Sequence, residues 1–161
     1  IELKVGRLPA PAQGGAKDLV SIVDVGFGVS QVMPVLVGLL VAQPGQLVYI
    51  EQPEIHLHPK AQRALAMPFA AAVNRGVQVV VETHSPILLT SIQTLVAQEQ
   101  LNQGLVKLHW VSRDSKGETK LSTHDLDETG AYGDWPQDFD DVESEVATDY
   151  YTAAEKILLK K

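Results

Sequence analysis

Residues 47–59 are Leu47-Val48-Tyr49-Ile50-Glu51-Gln52-Pro53-Glu54-Ile55-His56-Leu57-His58-Pro59. The first four are apolar without alternation, the pattern of a strand buried on both faces, as in a parallel sheet. The run ends at Glu51, and Gln52, Glu54, His56 and His58 follow at once. Ligands of open α/β sheets sit beyond the carboxyl ends of parallel strands. A carboxylate, an amide, a second carboxylate and two imidazoles at such an end are more function than a simple turn requires.

A second β-branched run, Val77-Gln78-Val79-Val80-Val81, ends in Glu82-Thr83-His84-Ser85-Pro86. Between the two runs, Ala61, Ala64, Leu65, Phe69, Ala72 and Val73 give one apolar helical face. Pro59 suits a first helical position, Asn74-Arg75-Gly76 a C-terminal stop, and Pro68 is expected to kink the helix. A right-handed crossover would bring Glu51 and His84 to one edge of the sheet.

Upstream, VGFGVSQVMPVLVGLLVA (25–42) opens on Gly26 and Gly28, with Ser30 as the expected cap of a helix from Gln31 to about Ala42 and Pro34 in its first turn. Downstream, a helix is expected from about Ile87 to Glu99. A hairpin should follow, with strands Val106–Ser112 and Thr119–Ser122 around a turn at Asp114–Gly117. Ile1–Val5 alternates like an edge strand, Leu19–Val23 reads as another, and residues 142–159 read as a last helix. The predicted class is α/β, a mainly parallel sheet flanked by helices, with residues 1–112 as one domain and 113–161 as a small acidic one.

A chain of 161 residues, 45% hydrophobic and 20% charged, can bury a core and reads as a soluble globular protein. With no cysteine, disulfides and thiolate-metal chemistry are excluded, and a cytoplasmic location is expected. The apolar run Val35–Ala42 is too short to span a bilayer, so no membrane association is expected. The net charge of −7 is unevenly spread. Residues 125–149 carry ten acidic and no basic side chains, leaving ten acidic and thirteen basic elsewhere. That segment is expected to meet a basic surface on another protein rather than DNA, and to be anchored on the rest of the chain by Tyr132, Trp135 and Phe139. For the remaining residues nucleic-acid binding stays open.

Three short motifs carry chemistry. Backbone N–H groups at a glycine turn entering a helix, Gly26 to Gln31, attract phosphate. The strand-end carboxylate of Glu51 can hold Mg²⁺. Thr83-His84-Ser85 follows the second strand. A different use of the same region would gather Glu51, Glu54, His56, His58 and His84 around a divalent metal for phosphoester hydrolysis.

In this order the motifs resemble those of the ABC-type ATPases, and more closely the OLD- and RecF-like branch of predicted AAA ATPases. GFGVSQVMP looks like the signature motif, LVYIEQPEIHLHP like a Walker B strand with its D-loop, and VVVETHSP like the switch-histidine segment. The tail, from about Arg113 through GAYGDWPQDFDD, looks like a small C-terminal domain of unknown function found on some of these ATPases. The resemblance implies a P-loop NTPase-like fold, with ATP and Mg²⁺ bound at the interface of a homodimer. It implies that Gly26, Gly28, Ser30 and Gln31 face the γ-phosphate of a nucleotide held by the opposing subunit. Glu51 stands where the family has a Mg²⁺-associated Asp, and Gln52 where many members have the catalytic Glu. His58 lies in the D-loop, His84 contacts the γ-phosphate, and His56 is structural.

Two departures qualify the resemblance. No Gly-x-x-x-x-Gly-Lys-[Ser/Thr] occurs anywhere in the sequence. The chain is therefore expected to be the C-terminal part of a longer ATPase, partnered by an upstream half and inactive alone. Gln52 is an amide and cannot take a proton from water, so hydrolysis is either slow or uses Glu54 as base. A non-hydrolysing binding module is the alternative.

Overall fold

A computed structural model describes residues 4–6, 19–24, 26–133, 148–153 and 155. The two runs named first are strands. β3 is Leu47–Glu51 and β4 is Gln78–Glu82, and they pair in parallel from Leu47 opposite Gln78 to Glu51 opposite Glu82. β1 (Lys4–Gly6) and β2 (Leu19–Ser21) precede them, with a turn of 3-10 helix at Ile22–Asp24 and then α1 (Phe27–Val41). α2 (Pro59–Asn74) makes the crossover from β3 to β4, and α3 (Pro86–Ala97) follows. The hairpin is β5 (Lys107–Arg113) and β6 (Thr119–Asp125). Residues 148–153 are helical.

The sheet is not mainly parallel. Among the described residues β3–β4 is the one parallel pair, while β1–β2 and β5–β6 are antiparallel, each a separate two-stranded sheet. Nor is the central pair buried on both faces. Ile50 is 7% exposed on the inner face, whereas Leu47 and Tyr49 are 62% and 57% exposed, with Val80, opposite Tyr49, at 48%. The unbroken apolar run therefore places apolar side chains on an open face as well as a covered one.

α1 also starts earlier than Ser30. Gly26 caps it through its backbone, its carbonyl accepting from Val29 N–H at 3.0 Å. Ser30 consequently falls inside the first turn, where its hydroxyl donates back to the Phe27 carbonyl at 2.8 Å. Pro34 then lies within the helix, and the backbone bond it cannot make is that to the carbonyl of exposed Ser30. α2 begins at Pro59 as expected and runs through Pro68 to Asn74, with Gly76 taking a φ of +87° just beyond.

Two compact units divide the chain, Ile1–Leu95 and Val96–Lys161. β5 pairs along its whole length with β6. In the first unit α2 packs on β4 and α1, and α1 reaches β3. Leu39, Leu65, Ala66, Phe69, Ala72 and Leu88 are buried there. Arg75 at the end of α2 donates to the carbonyls of Leu39 and Ala71, joining the two helices at one corner. In the second unit Leu101, Leu126 and Tyr132 are buried. Asp114 Oδ1 accepts the N–H groups of Lys116 and Glu118 and so shapes the hairpin turn. Trp135 and Phe139, the other expected anchors, lie outside the described residues, as does most of the acidic segment. No helix among the described residues is long and apolar enough to cross a membrane.

Two outcomes are expected. Phe69→Ala empties a 4%-exposed site and should cost about 3–5 kcal/mol in denaturant unfolding. Burial pushes the Tyr132 phenol up from 10.0 to about 12. Because its folded value is raised, its contribution is complete below pH 10 and is lost as pH rises towards 12, by roughly 2–3 kcal/mol. Tyr132→Phe should flatten the fall of stability over that alkaline range, read from unfolding curves at successive pH values.

Candidate functional site

The parallel register decides what the sheet edge presents. Glu51 and Glu82 are partners at the carboxyl ends of β3 and β4, both exposed and on the same face. Tyr49, one pleat back, donates its hydroxyl to Glu82 Oε2 at 3.3 Å. Partial desolvation, followed by the nearby carboxylates of Glu51 and then Glu82, raises the Tyr49 phenol above its ordinary value. Two like charges in register repel unless a cation or donor lies between them.

From Glu51 the chain turns sharply. Gln52 takes a φ of 41°, a left-handed conformation uncommon for a side-chain-bearing residue, and its N–H donates to the Glu82 carbonyl at 2.8 Å. The ladder is thus extended one bond past the strand. Ile55 N–H bonds the Gln52 carbonyl and Leu57 N–H the Glu54 carbonyl. His56 is the second left-handed residue, with a φ of 63°. Backbone in this region concentrates where a surrounding network over-determines it, commonly at functional sites.

That coiling turns Glu54 inward. It is 8% exposed, and its Oε1 accepts both the Thr83 hydroxyl and the His84 backbone N–H, each at 2.7 Å. Oε2 is buried with no hydrogen-bond partner among the described residues. Thr83 Oγ1 accepts from Ser85 N–H, and the Ser85 hydroxyl donates to Gln62 Oε1 at 2.8 Å. Gln62 Nε2 then donates to the Leu57 carbonyl at 3.0 Å, returning to the loop where the network began. Ser85 Oγ also caps α3 by accepting from Leu88 N–H. The His84 imidazole remains exposed while its backbone is fixed.

The glycine turn meets the same loop from the other side. A Cβ on Gly28 would lie 2.8 Å from the His56 carbonyl oxygen, so glycine is required by close packing. The Phe27 ring stands edge-on to the His56 ring, 5.1 Å between centroids. Gly26 is exposed, with nothing near the position of its missing Cβ.

The structure thus gathers Glu51 with Glu82, Glu54 with Thr83 and His84, and Gly28 with His56. It leaves others apart. Ser30 and Gln31 are exposed on α1. His58 is the N-cap of α2, its Nδ1 accepting from Lys60 N–H at 3.2 Å. The five-residue metal cluster does not form, since no group of three or more His, Asp or Glu placed to hold a metal occurs among the described residues. Glu54 bonds to the end of β4, His58 caps a helix and His56 meets Phe27, so their side chains diverge. Glu82 and Gln62 were missed by sequence reasoning. The signal for Glu82 was available, because two equal runs that each end in Glu align those residues once paired in parallel. Gln62 had none beyond its place in an amphipathic helix.

Residues 13–90 match a family model described as "AAA domain, putative AbiEii toxin, Type IV TA system". This stretch is similar to an AAA-type, P-loop ATPase-like domain. The match contains the glycine turn, the Glu51 strand end and the Thr83-His84 segment, so all three contacts described above fall within it. It supports nucleotide binding and hydrolysis in general. No curated protein matches the chain.

Gly28→Ala should therefore act through packing. A methyl group pressed on the His56 carbonyl is expected to lower stability by about 1–3 kcal/mol, whereas Gly26→Ala, which meets nothing, should stay within about 1 kcal/mol. Paired urea unfolding curves of the two variants check this.

Proposed function

We infer that this chain is the part of an ABC- or OLD-like ATPase that supplies the metal-binding strand end, the D-loop and the switch histidine, and that ATP is hydrolysed at a dimer interface once an upstream phosphate loop is added. One observation carries the reading: β3 and β4 end side by side, so the Glu51 carboxylate and the backbone-fixed His84 leave the same sheet edge.

Mg²⁺ takes oxygen ligands and keeps several waters, binding through one or two carboxylates and the substrate's phosphates. Glu51, with Glu82 opposite, fits that requirement. The ion would neutralise charge developing in phosphoryl transfer. The exposed imidazole of His84 is free to turn towards a γ-phosphate or an attacking water. Gln52 stands next to the metal carboxylate, where its side-chain amide can orient water but cannot deprotonate it. Glu54 is less accessible to water than Gln52, being buried and bonded to Thr83 and His84. The phosphate loop, the opposing subunit and the signature role of Gly26 to Gln31 come from the family likeness.

Gln52 also favours a second reading, a module that binds nucleotide and cycles slowly or not at all. Steady-state turnover of the chain joined to a phosphate-loop-bearing half separates the two. Glu51→Gln should abolish Mg²⁺-dependent turnover, and His84→Ala should lower it by about 10²–10⁴. Gln52→Glu should raise the rate by restoring a base. Wild-type rates in both Glu51→Gln and His84→Ala would remove this sheet edge from the reaction. The chain alone, lacking the cradle and its lysine, is expected to bind ATP more weakly than about 1 mM in calorimetry.

A further inference from the structure

Glu54 sits between two segments that have no covalent reason to move together. On one side is the coiled loop 52–58, whose His56 carbonyl and ring receive Gly28 and Phe27 at the start of α1. On the other is the exit from β4, where the His84 N–H donates to Glu54 Oε1. The same oxygen holds the Thr83 hydroxyl, so two successive residues are tied to one buried atom. Gln62 closes the arrangement from α2, donating to the loop at Leu57 and accepting from Ser85. The other carboxyl oxygen of Glu54 is buried and unpartnered among the described residues. A buried unsatisfied oxygen is costly, so stability alone does not account for a carboxylate at this position.

We propose that Glu54 is a positioning residue for His84, and that it passes the position of the α1 N-terminus, received through the 52–58 loop, to the backbone that carries the imidazole. The proposal rests on the ATPase reading for its consequence, since it is His84 that would meet the nucleotide. Its geometry is that of one rigid link. A shift of α1 presses on His56, the loop turns about its two left-handed residues, and the Glu54 carboxyl draws the His84 N–H with it. Contact at the glycine turn is thereby reported at the histidine without a bond between them. Glu54 touches neither metal nor phosphate in this role, in contrast to a general base.

The test uses the whole 161-residue chain without nucleotide, reading amide signals and hydrogen exchange residue by residue in NMR. Glu54→Asp keeps the carboxyl group but shortens its reach. It should speed exchange at His84 by roughly tenfold or more, while core amides such as Leu65 and Phe69 slow or speed together by much less. Glu54→Gln keeps reach and an acceptor oxygen, and should preserve most of the His84 protection. Phe27→Ala removes only an exposed ring from His56, so the fold is retained, and it should still displace the His84 and Thr83 amide signals. The proposal is overturned if His84 exchange merely follows the core amides in Glu54→Asp, or if Phe27→Ala leaves His84 unmoved. In the assembled ATPase, Glu54→Asp should reduce kcat with little change in KM. Loss of turnover in His84→Ala with wild-type kcat in Glu54→Asp sinks the proposal alone. A His84 that is held by Glu54 but dispensable for turnover sinks the ATPase reading and leaves the mechanical link standing.

Discussion

The parallel pairing of β3 with β4 is the constraint on which the first unit depends. A parallel pair cannot be closed by a tight turn, and its bonds are slightly weaker than antiparallel ones. It therefore needs a crossover element and packing on at least one face. α2 supplies the crossover, and Ile50 with the buried face of α2, including Leu65 and Phe69, supplies apolar packing. The ladder does not stop where the strands do, because Gln52 N–H adds one further bond to the Glu82 carbonyl. Gln52 there takes left-handed backbone, and the turn that follows sends Glu54 inward. The register of two short strands thus determines which carboxylate faces solvent and which is buried.

The two carboxylates of the Glu-Gln-Pro-Glu run consequently have different environments although they are close in sequence. Glu51 ends a strand on its open face and has a like charge opposite. Glu54 has hydrogen-bond donors from the end of the neighbouring strand. Oxygen that is exposed and crowded by negative charge favours a hard cation, while oxygen that is buried and bonded to backbone favours a fixed geometry. A division of labour between an outer and an inner carboxylate follows from exposure alone, without reference to any family.

Much of this was legible in the sequence. The β-branched runs, the Pro59 start of α2, the stop at Arg75-Gly76 and the hairpin around Asp114–Gly117 each rest on local chemistry, and local chemistry prevailed. The misreadings concern what lies around an element. An apolar run does not state how many of its faces are covered, so Leu47 and Tyr49 are exposed where burial was expected. Ser30 has the composition of a cap, but Gly26 could start the helix through its backbone alone, and the side chain was then left to bond within the first turn. The pairing of Glu51 with Glu82 required a register, which no single stretch encodes. The bond from Glu54 to the His84 N–H required a backbone donor, and backbone groups are invisible to a reading made from side chains.

The open face of the β3–β4 pair completes the physical picture of the first unit. Leu47, Tyr49 and Val80 form an exposed apolar strip on two strands that present unpaired outer edges to their neighbours among the described residues. Apolar side chains on a sheet are stabilising when another layer removes them from water. Tyr49 marks the limit of that strip, since its ring lies on the apolar side while its hydroxyl reaches the Glu82 carboxylate at the polar edge. Strip and carboxylate edge belong to one continuous surface, apolar along the strands and acidic at their ends. A layer laid on the strip would therefore come to rest beside Glu51 and Glu82. The same pleat that exposes Leu47 and Tyr49 also exposes Glu51.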